Sequence, residues 1–325
     1  MQFNSYKEQW LESMLQALWH DWAKLGVPGY TSSNSNNNPD HIIDPEATIL
    51  MTNTFGRWDA RLFDEMLSWL ALHGDLINVK RLQALSKKFP NPEVLSGIAA
   101  KTSPLHKPWA RLEAHHPSRS KLFYLTPNML SPIPDKLDPE FAHSGLLRAP
   151  VKDRKLTGEF SPREPSLIVL KLRSLCGMNA HAEVLSYYAD GRKVHASKAA
   201  RDLGFSQRGI QEILCQMARG GGMKTYHDGR RKLFQINHST WAGLLPSSLT
   251  WKNTTNWGAL QCHLWTLLHH LEQIPPLLLA SILREAEVSV TAQFPEFSDS
   301  TLSDFKTVEY IEKWVQWHRN LMVMT

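Results

Sequence analysis

The chain has 325 residues, 42% of them hydrophobic and 21% charged, and carries a net charge of +5. That length suits roughly two or three small domains with packed cores, while no apolar run approaches the ~18 residues of a membrane span; the best, 274–283, holds Pro275 and Pro276. The N-terminus lacks a basic-then-apolar leader, and Cys176, Cys215 and Cys262 lie far apart with neither metal-ligand spacing nor a disulfide framework, so the expectation is a cytoplasmic chain with no membrane partner, no metal and no cofactor.

In chain order, Trp10, Met14, Leu18 and Trp22 recur every four residues and predict an amphipathic helix over 5–25, ended by Gly26, Pro28 and Gly29. The polar tract 31–40 has nothing to bury and reads as a mobile loop. Residues 44–101 read as a compact helical unit. Between 90 and 165 stand 12 of the 19 prolines, too many for long helices, so this stretch reads as a linker or a segment wrapped on another surface. The C-terminal part predicts helices over 257–273 and 304–322. The second has Phe305, Val308, Ile311 and Val315 on one face, widened by Trp314 and Trp317, a stripe suited to the core or to a dimer contact. The domains read as 1–103, helical; 104–164, Pro-rich; 165–245, the unit described next; and 246–325, helical.

From Asn179, Ala182, Val184, Leu185 and Tyr188 form the apolar face of a helix stopped by Asp190-Gly191. A short extended piece, 194–196, leads to Ser197, a helix cap, and a helix through Leu203 that packs with Ala199, Ala200 and Leu203. Gly204 takes the left-handed turn position, Phe205 plugs the turn, and Ser206 caps a helix to about Ala218 with Ile210, Leu214 and Met217 facing inward. After Gly220-Gly221-Gly222, strands at 223–227 and 230–236 are joined by Asp228-Gly229, a hairpin signal. From 191 to 232 stand ten Lys or Arg and three Asp or Glu, which leaves the rest of the chain at about −2. A charge so localised is the footprint of a polyanion binder.

The order helix, short strand, helix, turn, helix and basic hairpin, carried by A-S-K-A-A-R-D-L-G-F-S-Q-R-G-I-Q-E-I-L-C-Q-M and Y-H-D-G-R-R-K-L-F, resembles the winged helix-turn-helix of MarR- and ArsR-type bacterial regulators. The resemblance covers about 60 of the 325 residues, roughly 178–240, within the 165–245 unit. It implies a mostly α fold, with three helices and a β-hairpin wing flanked by helical N- and C-terminal regions. It also implies sequence-specific binding of double-stranded DNA by a nucleoid-associated transcriptional regulator, acting by operator occupancy as a homodimer. The second helix of the pair would enter the major groove N-terminus first. Arg208 would read guanine there, and Gln207 or Gln211 adenine. Ser197, Ser206 and Lys224 would meet the backbone, and Arg230, Arg231 and Lys232 on the wing would grip phosphate. The small-molecule effector stays unnamed. Two other readings stand beside it: a DNA-binding subunit of a replication, plasmid or defence complex, and a winged-helix scaffold for protein partners.

Residues 65–85 align without gaps on 183–203 with six of 21 positions identical, including Glu65/Glu183, Ser68/Ser186 and Lys80/Lys198. This suggests a second, degenerate winged-helix unit at 59–103, nearly balanced in charge. Enzyme signals are weak. His181-Ala182-Glu183 spells H-x-E without the P-C-x-x-C that zinc deaminase chemistry needs, and no phosphate-cradling or nucleophile-elbow motif is present. The expectation is a protein that is not an enzyme.

Overall fold

The computed structural model describes residues 3–28, 41–127, 129–152, 154–245, 250–298, 302 and 307–323. The expected loop at 31–40 and the expected core position Phe305 lie outside them.

The chain is mostly helical. Helices α1 (Phe3–Lys24), α2 (Pro45–Phe55), α3 (Ala60–His73), α4 (Val79–Ser86) and α5 (Pro92–Thr102) come first. On α1 the four-residue stripe Trp10, Met14, Leu18 and Trp22 is buried as its spacing requires. Every residue of α2 is buried. Asp44 caps this central helix and Pro45 opens it, and the Thr52 hydroxyl donates back to the Thr48 carbonyl at 2.7 Å, which satisfies that buried hydroxyl within the helix.

The Pro-rich segment forms short pieces: β1 (Ser120–Lys121), β2 (Tyr124–Thr126), β3 (Met129–Leu130), α6 (Pro139–His143) and β4 (Leu146–Leu147). β1 pairs with β4 in parallel and β2 with β3 antiparallel. Trp109, Leu122, Phe141 and Leu146 are all 0% exposed and join the core of α1–α5.

Next come α7 (Ile168–Cys176), α8 (Ala180–Tyr188), β5 (Val194–His195), α9 (Ala196–Leu203), α10 (Gln207–Arg219), β6 (Met223–Asp228) and β7 (Arg231–Ile236), then α11 (Thr254–Leu268), α12 (Pro276–Gln293) and α13 (Thr307–Val323). α8, α9 and α10 pack on one another, and a three-stranded antiparallel sheet in the order β5-β7-β6 closes against them. This unit has its own core: Leu172, Ala182, Val184, Leu185, Ala199, Ala200, Leu203, Ile210, Leu214, Phe234 and Ile236, reached from outside by Ile42.

Several local expectations are corrected. The α9 cap is His195, whose ring nitrogen accepts from the Ser197 amide. The hairpin turn is Gly229-Arg230, because Asp228 already pairs with Arg231. Gly229, at φ +55, supplies the positive φ that the first central position of a type II′ turn requires. Phe205 is only half-buried, packed on the edge of its core. α12 was not read from the sequence, where two prolines stand in an apolar run; Pro276 sits at the first helical turn, where its missing N–H has no cost.

Two corrections are larger. The regions 1–103 and 246–325, expected as separate, share one core: α13 contributes Tyr310, Trp314, Trp317 and Leu321 to the cluster holding Phe3, Tyr6 and Trp10. The aromatic stripe of the last helix is therefore spent inside the chain and offers no dimer face. The internal echo also stops at element order. α3, α4 and α5 follow one another, but no strand lies between α3 and α4, a 3-10 turn at Lys107–Leu112 rather than a hairpin comes directly after α5, and α4 packs chiefly on α2 rather than with α3 and α5.

The two cores meet at buried charges. Arg81, 3% exposed, donates to Asp44 and Glu46, and its Nε donates to the Leu203 carbonyl at the end of α9 at 2.9 Å. Arg173 bridges Glu46, bidentate at 2.8 Å, and Glu183 at 2.7 Å, and also donates to the Leu76 carbonyl. Burial pushes the Asp44 carboxyl up, but the charge and hydrogen bonds of Arg81 outweigh it and hold the group below its usual range. This network joins α2 and α4 of the large core to α7, α8 and α9 of the small one.

Candidate nucleic-acid interface

α10 is anchored before it is exposed. Gly204 takes φ +76 in the α9–α10 turn, and a Cβ there would come within 2.7 Å of Leu85 Cδ2, so the turn is pressed onto the end of α4. Ser206 then caps α10 by accepting from the Gly209 amide at 3.2 Å. A Cβ at Gly209 would stand 3.1 Å from that hydroxyl, which gives this first-turn glycine a local reason. Ile210 and Leu214 are buried, with Ile213 and Met217 packed beside them. Ser206, Gln207, Arg208, Glu212, Gln216 and Arg219 are exposed.

The expected contact residues differ in what holds them. Gln207 and Arg208 are exposed on the first turn of α10; Arg208 Nε donates to Glu212 Oε1 at 2.9 Å. Gln211 is half-buried and its amide points to Cys215 Sγ at 3.4 Å. Ser197 is exposed, 2.8 Å from His195 Nδ1. On the hairpin, Lys224 and Arg231 stand on the face that alternation turns away from the buried Met223, Phe234 and Ile236, and Arg230 occupies the turn. Lys232 points to the other face, half-buried, with Nζ 5.2 Å from the Phe234 ring centre, and so is not grouped with its neighbours.

Part of the positive charge is already paired within the chain. Arg192 pairs with Asp190 and is stacked between Tyr187 and Trp251; Lys198 pairs with Asp202 and Arg208 with Glu212. Arg201, Arg219, Lys224, Arg230 and Arg231 are exposed and form no ion pair among the described residues. Arg201 and Arg219 were missed from the sequence, although the helical period from Arg208 through Glu212 and Gln216 already places Arg219 on the outer stripe. Lys193 was also missed; its Nζ lies 3.8 Å from the Tyr226 ring centre. That contact comes from the β5–β6 edges of the sheet and has no signal in sequence spacing.

His181-Ala182-Glu183 resolves into helix architecture. His181 Nδ1 lies 3.1 Å from the capping Asn179 side chain, and Glu183 is tied to Arg173. At the far end of α10 a cleft of about 500 Å³ opens between His181, Leu185, Met217, Gly222 and Trp241. Among the described residues no helix is long and apolar enough to cross a membrane. No family model matches the chain, and neither a curated protein nor a solved structure is found to resemble it.

Proposed function

We propose that residues 168–245 form a winged helix-turn-helix that binds double-stranded DNA with sequence preference, and that the protein acts as a transcriptional regulator by occupying an operator. The observation that carries this reading is the division of α10: its inner face is locked in the small core, and its capped N-terminal turn leaves Gln207 and Arg208 exposed. A helix held that way can enter a major groove without rearrangement. The exposed, unpaired Arg230 and Arg231 on the adjoining hairpin support it, since clustered cations neutralise phosphate.

The test is binding of a labelled duplex from the protein's own promoter against a scrambled duplex, across salt, for the native protein and Arg208→Ala. A preference of about 10³-fold or more, largely lost in Arg208→Ala, is the expected result. Equal binding of both duplexes with a steep salt slope would instead identify a non-specific DNA-binding subunit. No binding of either at low salt would overturn the proposal and leave a protein-docking module.

A further inference from the structure

Glu212 is a costly residue to place on a helix that meets DNA, because its carboxylate faces the phosphate field. It is 58% exposed in its side chain and lies one helical turn after Arg208, itself 91% exposed. Its Oε1 accepts from Arg208 Nε at 2.9 Å. The terminal guanidinium nitrogens Nη1 and Nη2 have no partner among the described residues. A guanidinium held through Nε keeps its other edge free, and that edge carries two parallel N–H donors. Two such donors match the N7 and O6 acceptors that guanine alone presents side by side in the major groove.

Resting on the DNA-binding reading above, we propose that Glu212 is the positioning residue for base readout: it holds Arg208 so that its Nη1–Nη2 edge meets guanine, at the expense of affinity for DNA in general. The backbone beneath it is fixed, because Ser206 caps the same turn and Ile210 and Leu214 anchor it from behind. Without Glu212, Arg208 sweeps its rotamers and contacts phosphate or any base edge. The carboxylate thus works on two sides. It organises one cation for a single base, and it repels sequences that offer no guanine to repay its own burial in the groove.

The experiment selects preferred duplexes from a randomised pool with the full-length protein. It then measures binding to the best site with guanine or 7-deazaguanine, which lacks N7, at each guanine in turn. At one position the native protein should lose about ten-fold or more on 7-deaza substitution, and Arg208→Ala should lose nothing further. Glu212→Ala should abolish that sensitivity while binding scrambled DNA more tightly than the native protein. Glu212→Gln, whose amide oxygen still accepts from Nε, should keep the sensitivity and also bind scrambled DNA more tightly. Retained 7-deaza sensitivity in Glu212→Ala, with unchanged circular dichroism, overturns the positioning role while the DNA-binding reading stands. Absence of any guanine whose recognition depends on Arg208 overturns it equally. A native protein that binds no duplex removes both.

Discussion

His318 is 0% exposed, stacked on Trp314 and packed edge-on against Tyr6. Its Nε2 lies 2.9 Å from Gln261 Oε1 and its Nδ1 faces the Tyr6 hydroxyl, an arrangement that suits a neutral ring donating through Nε2 and accepting at Nδ1. Burial pushes its pKa down to about 3, and burial likewise pushes His269 down to about 4. In the unfolded chain both titrate near 6.5. Below that pH the unfolded state takes up protons that the folded state refuses, so their contribution to stability falls as pH drops from about 6.5 toward 3. Asp21 acts in the opposite sense: burial pushes it up to about 7, so the folded state keeps a proton between about 4 and 7 and stability declines as pH rises through that window. A urea-midpoint series from pH 7 to 4 should therefore be less steep in His318→Gln than in the native protein, by the order of a few kcal/mol across the range. Identical slopes would show that His318 takes up its proton without unfolding.

At the scale of elements, the join between the two cores rests on groups that are individually expensive to bury. Glu46 and Arg173 are each 0% exposed in their side chains. Glu46→Ala should cost about 3–5 kcal/mol in chemical denaturation, because it strands Arg81 and Arg173 without their shared carboxylate. A loss below about 1 kcal/mol would mean that water reaches the network. The hairpin makes a different prediction. On the proposed DNA-binding reading, Arg230→Ala and Arg231→Ala should each weaken binding alike on preferred and scrambled duplexes and lower the salt slope by about one, since an exposed cation on the hairpin would serve phosphate. A change confined to the preferred duplex would assign the residue to base readout. α8, α9, α10 and the hairpin strands of this unit were legible because each has a local cause, such as the apolar period of α8, the Ser206 cap, the Gly204 turn and the alternation at 223–236, whereas α7 and the capping role of Asn179 were not read. The Glu46–Arg173–Glu183 network was not, because Glu46 lies 127 residues from Arg173 and each member reads alone as an ordinary charge on a helix.

Across the whole molecule, the first and last helices close one core. Tyr6 and Trp10 of α1 meet His318 of α13, and the Trp257 indole of α11 donates to the Leu321 carbonyl. A fragment ending at residue 103 should therefore lack a cooperative thermal transition by circular dichroism, and Trp314→Ala, at a side chain 0% exposed, should cost about 3–5 kcal/mol in the full chain. An independently folding 1–103 fragment would overturn the single large core. A dimer, if light scattering finds one, must use a surface other than the stripe of α13.

The sequence by itself determined what depends on neighbours in the chain. It held the helical periods, the Ser206 cap, the left-handed glycine, the hairpin alternation and the concentration of positive charge between 191 and 232. Each of these is set within a few residues, where spacing and side-chain chemistry act directly. The tertiary structure decided what depends on partners far along the chain: that both ends share a core, that Arg192 and Lys232 are drawn off the exposed surface, and that α4 serves α2. It also fixed which charges stay free. Burial and pairing are properties of the folded surface, and a one-dimensional count of lysines and arginines cannot tell a paired guanidinium from an open one.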